Sequence, residues 1–205
     1  WPESPAPFQE NDPAFRMAMT GLAKDAGTPI IVGNIAIHRT TANARGFYLF
    51  NSASFVTPQG EFRGRYDKMH LVPFGEYVPF HQLFFFAQNL LHEAGTFNAG
   101  GTRSLFEVNG HRYGTFICYE SIFGDEVRQF TRQGADVLIN ISNDGWYGDT
   151  SAPWQHLNMV RMRAIENHRW VLRATNTGVT ASIDPYGRVV EAAPRPRRSS
   201  RRELV

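Results

Sequence analysis

The 205-residue sequence predicts an α/β domain with helices outside a sheet or sandwich, and three observations carry that expectation. Apolar, β-branched runs of strand length recur at 30–37, 112–118, 135–142 and 169–175, with helical patterns between the last three. The strand-helix-strand order through 112–118, 122–133 and 135–142 implies a parallel crossover. With 42% hydrophobic and 13% aromatic residues, the chain has ample apolar material for a packed core.

Taken in order, Ser4 to Pro13 reads as a proline-rich loop. Pro13 to Ala26 reads as a helix, with Phe15, Met19 and Leu22 at helical spacing before the break at Gly27-Thr28-Pro29. Ile30 to Ile37 and Gly46 to Val56, the latter stopping at the turn sequence Thr57-Pro58-Gln59-Gly60, read as an antiparallel hairpin. Glu61 to Lys68 leads into His70 to Pro79, whose prolines and glycine forbid a long regular element. Phe80 to Leu91 carries Leu83, Phe84, Phe85, Phe86, Leu90 and Leu91, too many large apolar groups for one helical stripe, so it packs on several sides or faces lipid. Strands are expected at 104–109 and 112–118, a helix at 122–133 bearing Ile122, Val127 and Phe130, and a buried strand at 135–142. After the loop Asn143 to Gly148 come a helix at 153–168 and strands at 169–175 and 178–184. The turn Asp184-Pro185-Tyr186-Gly187 leads into a last strand at 188–192. There is no internal repeat.

The formal charge is only +2, but residues 194–205 hold five arginines against Glu203. Such a tail suits anionic lipid or nucleic acid, yet runs of this composition are more often solvated and disordered; a disordered tail and no nucleic-acid partner are expected. A single cysteine makes no internal disulfide, and no Cys/His cluster has zinc-finger spacing, so neither a structural metal nor a cofactor is expected. No stretch reaches the roughly 18 apolar residues that span a bilayer, and the N-terminus lacks the regions of a signal peptide. The chain is expected to be soluble or peripheral as given, and its opening at Trp1-Pro2-Glu3 without a preceding strand reads as a cut from something longer.

Cys118 stands where the apolar run Tyr113 to Ile117 stops and the polar pair Tyr119-Glu120 opens a helical stretch. A thiolate there would lie over free backbone N–H groups, which lowers a thiol pKa and leaves the sulfur accessible. The alternative is a small buried hydrophobe. A cysteine nucleophile needs a base for its proton, and a cation or N–H donors for the oxyanion that forms on the attacked carbonyl. Glu3 and Lys68, the latter heading the irregular loop, are candidates for those roles, although either alone reads as solvated surface.

Five ordered segments change that weighing: Trp1-Pro2-Glu3-Ser4, Tyr66-Asp67-Lys68 through Pro79, Cys118-Tyr119-Glu120, Asn143-Asp144-Gly145-Trp146-Tyr147, and Arg161 to Asn167 followed by Arg173 to Gly178. Together they resemble the nitrilase, or carbon-nitrogen hydrolase, superfamily with its Glu-Lys-Cys triad, and within it the branch that N-acylates lipoproteins. The resemblance covers nearly all of residues 1–193, expected to be one domain, and implies a nitrilase-like α-β-β-α sandwich truncated at its N-terminus. It implies Glu3 as general base, Lys68 as oxyanion-stabilising cation and Cys118 as nucleophile, with Glu76, Tyr119 and Glu120 supporting them. The implied reaction moves an acyl chain from a phospholipid, through a thioester on Cys118, to the amine of an apolipoprotein. The implied setting is the bacterial inner membrane, with the domain on its periplasmic side. Phe84 and Phe85 would then dip into the lipid interface and offer acyl chains a path, and Trp146 lines the acyl pocket or belongs to the core.

Rival readings are a soluble amidase or nitrilase using water as acceptor, and a non-catalytic fragment binding anionic surfaces through its basic tail. His70, His156 and His168 share no ligand spacing and read as satisfied or surface histidines. Arg161, Arg163 and Glu166 on one helix read as a structural ion-pair network.

Overall fold

The computed structural model describes residues 1–3, 8–77 and 97–193. Helix α1 (Pro13–Ala26) begins where the Asp12 side chain accepts from the Phe15 N–H at 2.8 Å, with proline in its first turn. It ends at Gly27, whose φ of 58° suits the left-handed cap. Strands β1 (Ile30–Arg39), β2 (Phe47–Val56) and β3 (Phe62–Asp67) form an antiparallel meander. The β1–β2 hairpin is as the sequence predicts, pairing Ile30 with Val56 through Arg39 with Phe47. Strand β3 is not evident in the sequence, because charges and Gly64 break its apolar alternation.

The second sheet has six strands, β4 (Leu105–Val108), β5 (His111–Ile117), β6 (Val137–Ser142), β7 (Trp170–Thr175), β8 (Ala181–Ile183) and β9 (Val189–Ala192), in sequential order. Strands β5, β6 and β7 are parallel, and the outer pairs are antiparallel. The crossovers are α2 (Gly124–Arg132) and α3 (Ala152–Asn167), which pack on each other and on β5 and β7. The expected βαβ order is therefore present.

The layers follow from alternation along β2. Ser54 and Val56 belong to the face under α1, where Val56 joins Phe15, Ala23 and Val32. Ala53 and Phe55 point the other way into the main core with Phe106, Ile117, Ile141 and Ile183, and Phe55 stacks on Phe106 across the layers at 5.2 Å. Val127, Phe130, Leu157, Val160 and Ala164 seal the helical side of the larger sheet. The result is the α-β-β-α sandwich expected. The apolar run Phe80 to Leu91 and the tail 194–205 lie outside the described residues. No helix among the described residues is long and apolar enough to cross a membrane.

Candidate active site

Strand β5 ends at Ile117 and the chain turns at Cys118, whose φ of 49° lies in the left-handed region that residues with a Cβ adopt only at a cost. The turn opens a short 3-10 helix, Cys118–Ile122, and α2 begins only at Gly124. Glu120 braces this corner. One carboxylate oxygen accepts from the Ile117 N–H at 2.7 Å, while the other accepts from the Tyr66 hydroxyl at 2.7 Å and from the N–H groups of Met69 and His70 at 2.7 and 3.1 Å. A single buried side chain thus ties the cysteine corner to the segment carrying Lys68.

Lys68 follows β3 and is 1% exposed. Its ammonium donates to Glu3 Oε1 at 3.3 Å and to Glu76 Oε1 at 3.0 Å. Asn51, on β2, donates through Nδ2 to the same two oxygens at 2.7 Å each. Glu76 also accepts from the Val72 N–H at 2.7 Å, which closes the irregular loop on itself. The second oxygen of Glu3 accepts from the Asn143 N–H at 2.8 Å, and the Cys118 thiol lies close enough to Glu3, Lys68 and Ser142 for them to bear on its pKa. Glu3, Lys68, Glu76 and Cys118 are therefore neighbours, although Glu3 and Lys68 stand 65 positions apart in the chain.

The electrostatics differ from the sequence expectation. Burial, and after it the charge of Glu3, push the Cys118 thiol up to about 12, against Lys68 and Ser142 acting the other way. The expected lowered pKa and accessible sulfur are both overturned: Cys118 is 7% exposed, and the single 3-10 turn beyond it does not offset desolvation beside a carboxylate. Burial alone would favour a neutral Lys68, but the charges of Glu3, Glu76 and Glu120 outweigh it and raise its pKa, so it stays an ammonium. Burial likewise raises the Glu120 carboxyl, against its N–H and hydroxyl donors. The resting site thus holds a protonated thiol and a fixed positive charge beside Glu3.

The other expected residues are placed less uniformly. Tyr119 presents its ring edge-on to Phe123, and its N–H lies in the first turn of the 3-10 helix, where backbone donors have no intrahelical partner. Trp146 is 80% exposed, which overturns the core reading. Phe84 and Phe85 lie outside the described residues. The expected ion-pair network reduces to Arg163 with Glu166 at 2.8 Å; Arg161 instead donates to the Gly187 carbonyl and to Asn158. His156 is a satisfied buried histidine, as read from the sequence. Asn51 was missed; its one signal is an amide side chain midway along the strand run Phe47–Val56, just before Ser52. Among the described residues no group of His, Cys, Asp and Glu could hold a metal ion. A cleft of about 880 Å³ between the sheets is lined by Trp1, Ile31, Phe55, Ile139 and Leu172, but by none of Glu3, Lys68 and Cys118. The candidate site is therefore defined by its chemistry and not by that cleft.

The sandwich carries a cysteine at the end of a central strand with a Glu-Lys pair beside it. The carbon-nitrogen hydrolase family model matches residues 1–199, and the chain belongs to that family. The chain is similar to the apolipoprotein N-acyltransferase of Geobacter metallireducens, at 40% identity over 190 residues covering 92% of this chain and 36% of that protein. It is also similar to that of Methylococcus capsulatus, at 39% identity over 198 residues covering 95% and 38%. The chain thus spans a little over a third of the length of these curated relatives. Among solved structures, an amidase from Nesterenkonia sp. superimposes with a TM-score of 0.59 at 18% identity, covering 89% of this chain and 63% of that one, which is a likeness of fold alone.

Proposed function

We propose that the chain is the catalytic part of an apolipoprotein N-acyltransferase, which moves a fatty acyl chain from a phospholipid to the N-terminal amine of a diacylglyceryl-cysteine apolipoprotein through a thioester on Cys118. Two lines support this reading: the similarity to N-acyltransferases over more than nine-tenths of the chain, and the meeting of Glu3 and Lys68 beside Cys118. The second carries the mechanism.

In the first half-reaction the Cys118 sulfur attacks the phospholipid ester carbonyl while its proton passes to Glu3. The oxyanion that forms is held by the Lys68 ammonium and the Tyr119 N–H; removing one such donor typically costs about 10²–10³ in rate. The carbon-oxygen bond breaks, the lysophospholipid oxygen takes the proton back from Glu3, and the thioester remains. In the second, the apolipoprotein amine attacks the thioester, Glu3 accepts a proton from the nitrogen, and the carbon-sulfur bond breaks to return the proton to Cys118. Glu76 holds Lys68 and, through Asn51, keeps Glu3 in line, so it is an orienting carboxylate and not a second base. Trp146, standing out from the surface, and the apolar run with Phe84 and Phe85 contact the acyl chain and the lipid interface. The setting is the periplasmic side of a bacterial inner membrane, with residues 1–193 as the catalytic domain and 194–205 as a basic tail.

The test is an acceptor competition. Incubation with a phospholipid and a diacylglyceryl-cysteine peptide should give the N-acyl peptide and one lysophospholipid per turnover. Release of free fatty acid at the same rate with and without peptide would instead identify a hydrolase.

A further inference from the structure

Beneath the cysteine corner lies a polar cluster that the proposed chemistry does not use. Asp144, His156 and Arg173 are all buried. Asp144 Oδ1 meets His156 Nδ1 at 2.9 Å and accepts from the Ser142 hydroxyl at 2.8 Å, while Asp144 Oδ2 accepts from the Arg173 guanidinium at 2.8 Å. Arg173 is tied in turn to Asn140 and to the Val179 carbonyl. The far nitrogen of the imidazole, Nε2, lies 3.1 Å from the backbone carbonyl oxygen of Cys118 and 2.8 Å from the Ser121 hydroxyl. An Asp-His pair beside a cysteine suggests a catalytic triad, but the imidazole meets the carbonyl of Cys118, and the groups bearing on its thiol are Glu3, Lys68 and Ser142.

We infer that Asp144 and His156 are positioning residues that hold the left-handed Cys118 corner by its carbonyl and set the spacing between sulfur and base. The inference takes Cys118 as the nucleophile, Glu3 as its base, and His156 as donating from both ring nitrogens, Nδ1 to Asp144 and Nε2 to the Cys118 carbonyl. A non-glycine residue at positive φ persists only where its surroundings over-determine it. Glu120 fixes the corner through the Ile117 N–H, on the strand side; His156 fixes it through the Cys118 carbonyl, on the helix side. The same loop governs the base, because the Asn143 N–H holds Glu3 while the next residue, Asp144, holds His156. Sulfur and carboxylate are thereby referred to two consecutive residues. The space around Asp144 leaves it little freedom: a Cβ at Gly178 would sit 2.0 Å from its Oδ2.

The test exploits the single cysteine, whose alkylation by iodoacetamide is read by intact mass without ambiguity. A glutamine at 156 can place its amide nitrogen near the position of Nε2 and keep the donor to the Cys118 carbonyl; an asparagine reaches only the position of Nδ1 and keeps the Asp144 contact instead. Well below each variant's melting temperature, His156→Ala and His156→Asn should alkylate about thirtyfold more slowly than the parent, in keeping with the cost of roughly ångström misplacement. His156→Gln should return to within about threefold of it. A role confined to stability would lower melting temperatures without ranking glutamine above asparagine. Parent-like alkylation in His156→Asn, or no recovery in His156→Gln, overturns the inference; these two variants carry the test if His156→Ala fails to fold. Failure of the acyl-transfer reading shows separately, as a parent chain that alkylates normally but takes no acyl group from phospholipid.

Discussion

Replacing Glu3 by glutamine keeps the volume of the side chain and an oxygen for the Asn143 N–H, but removes the carboxylate assigned to the Cys118 proton. With the thiol at about 12, only about one molecule in 10⁴ carries a pre-formed thiolate at pH 8. Attack in the parent must therefore be coupled to proton transfer, a contribution of about 10²–10⁴ for a positioned base. Glutamine also removes the charge that, after burial, pushes the thiol up, so the sulfur becomes more acidic and part of the loss is returned. The expected net fall in the acylation rate is about 10²–10³. The two enzymes should also differ in pH dependence. Between about pH 6.5 and 9 the parent rate should be nearly level, whereas Glu3→Gln should rise close to tenfold per pH unit because it draws on free thiolate. Single-turnover release of p-nitrophenol from an acyl ester measures both. A Glu3→Gln rate within about threefold of the parent, or a matching level profile, would refute the assignment of the base.

Lys68→Met preserves length and volume but leaves Glu3 and Glu76 facing each other with only Asn51 between them. Urea denaturation should report a loss of about 3–5 kcal/mol, and acylation should fall by about 10²–10³, since the ammonium that pairs with the two carboxylates is also the one assigned to the oxyanion. The Asp144 carboxyl, desolvated yet held by His156 and Arg173, has its pKa below the ordinary 3.8. A depressed carboxyl stabilises the fold fully above 3.8 and loses that contribution as pH drops toward its folded value. Urea midpoints should therefore fall more steeply below about pH 4 for the parent than for Asp144→Asn. Equal slopes would contradict this.

Local chemistry made much of the fold legible. The β1–β2 hairpin shows in a β-branched run, an apolar run and a turn sequence, and the parallel crossovers show in the spacing of buried strands and amphipathic helices. Strand β3 does not show, because Phe62 to Asp67 alternates charges with a glycine and is specified by its pairing with β2. The positions of Glu3, Lys68 and Cys118 were legible by resemblance, but the state of the thiol was not. A strand-to-helix corner suggests a lowered pKa, and only the folded chain reveals that a carboxylate more than a hundred residues earlier lies against a buried sulfur. Asp144 and Arg173 stand in segments that carry the resemblance, but their meeting with His156 escaped, because it ends in a contact with a backbone carbonyl that leaves no mark in spacing.

The central claim is that the single thiol of this chain carries the acyl group, and the mass of the intact protein after exposure to phospholipid vesicles tests it most directly. The account predicts one added acyl chain, removed by hydroxylamine, localised to the peptide containing Cys118 and absent in Cys118→Ser. An unmodified mass under conditions where acyl transfer proceeds, or an adduct that persists in Cys118→Ser, would contradict it.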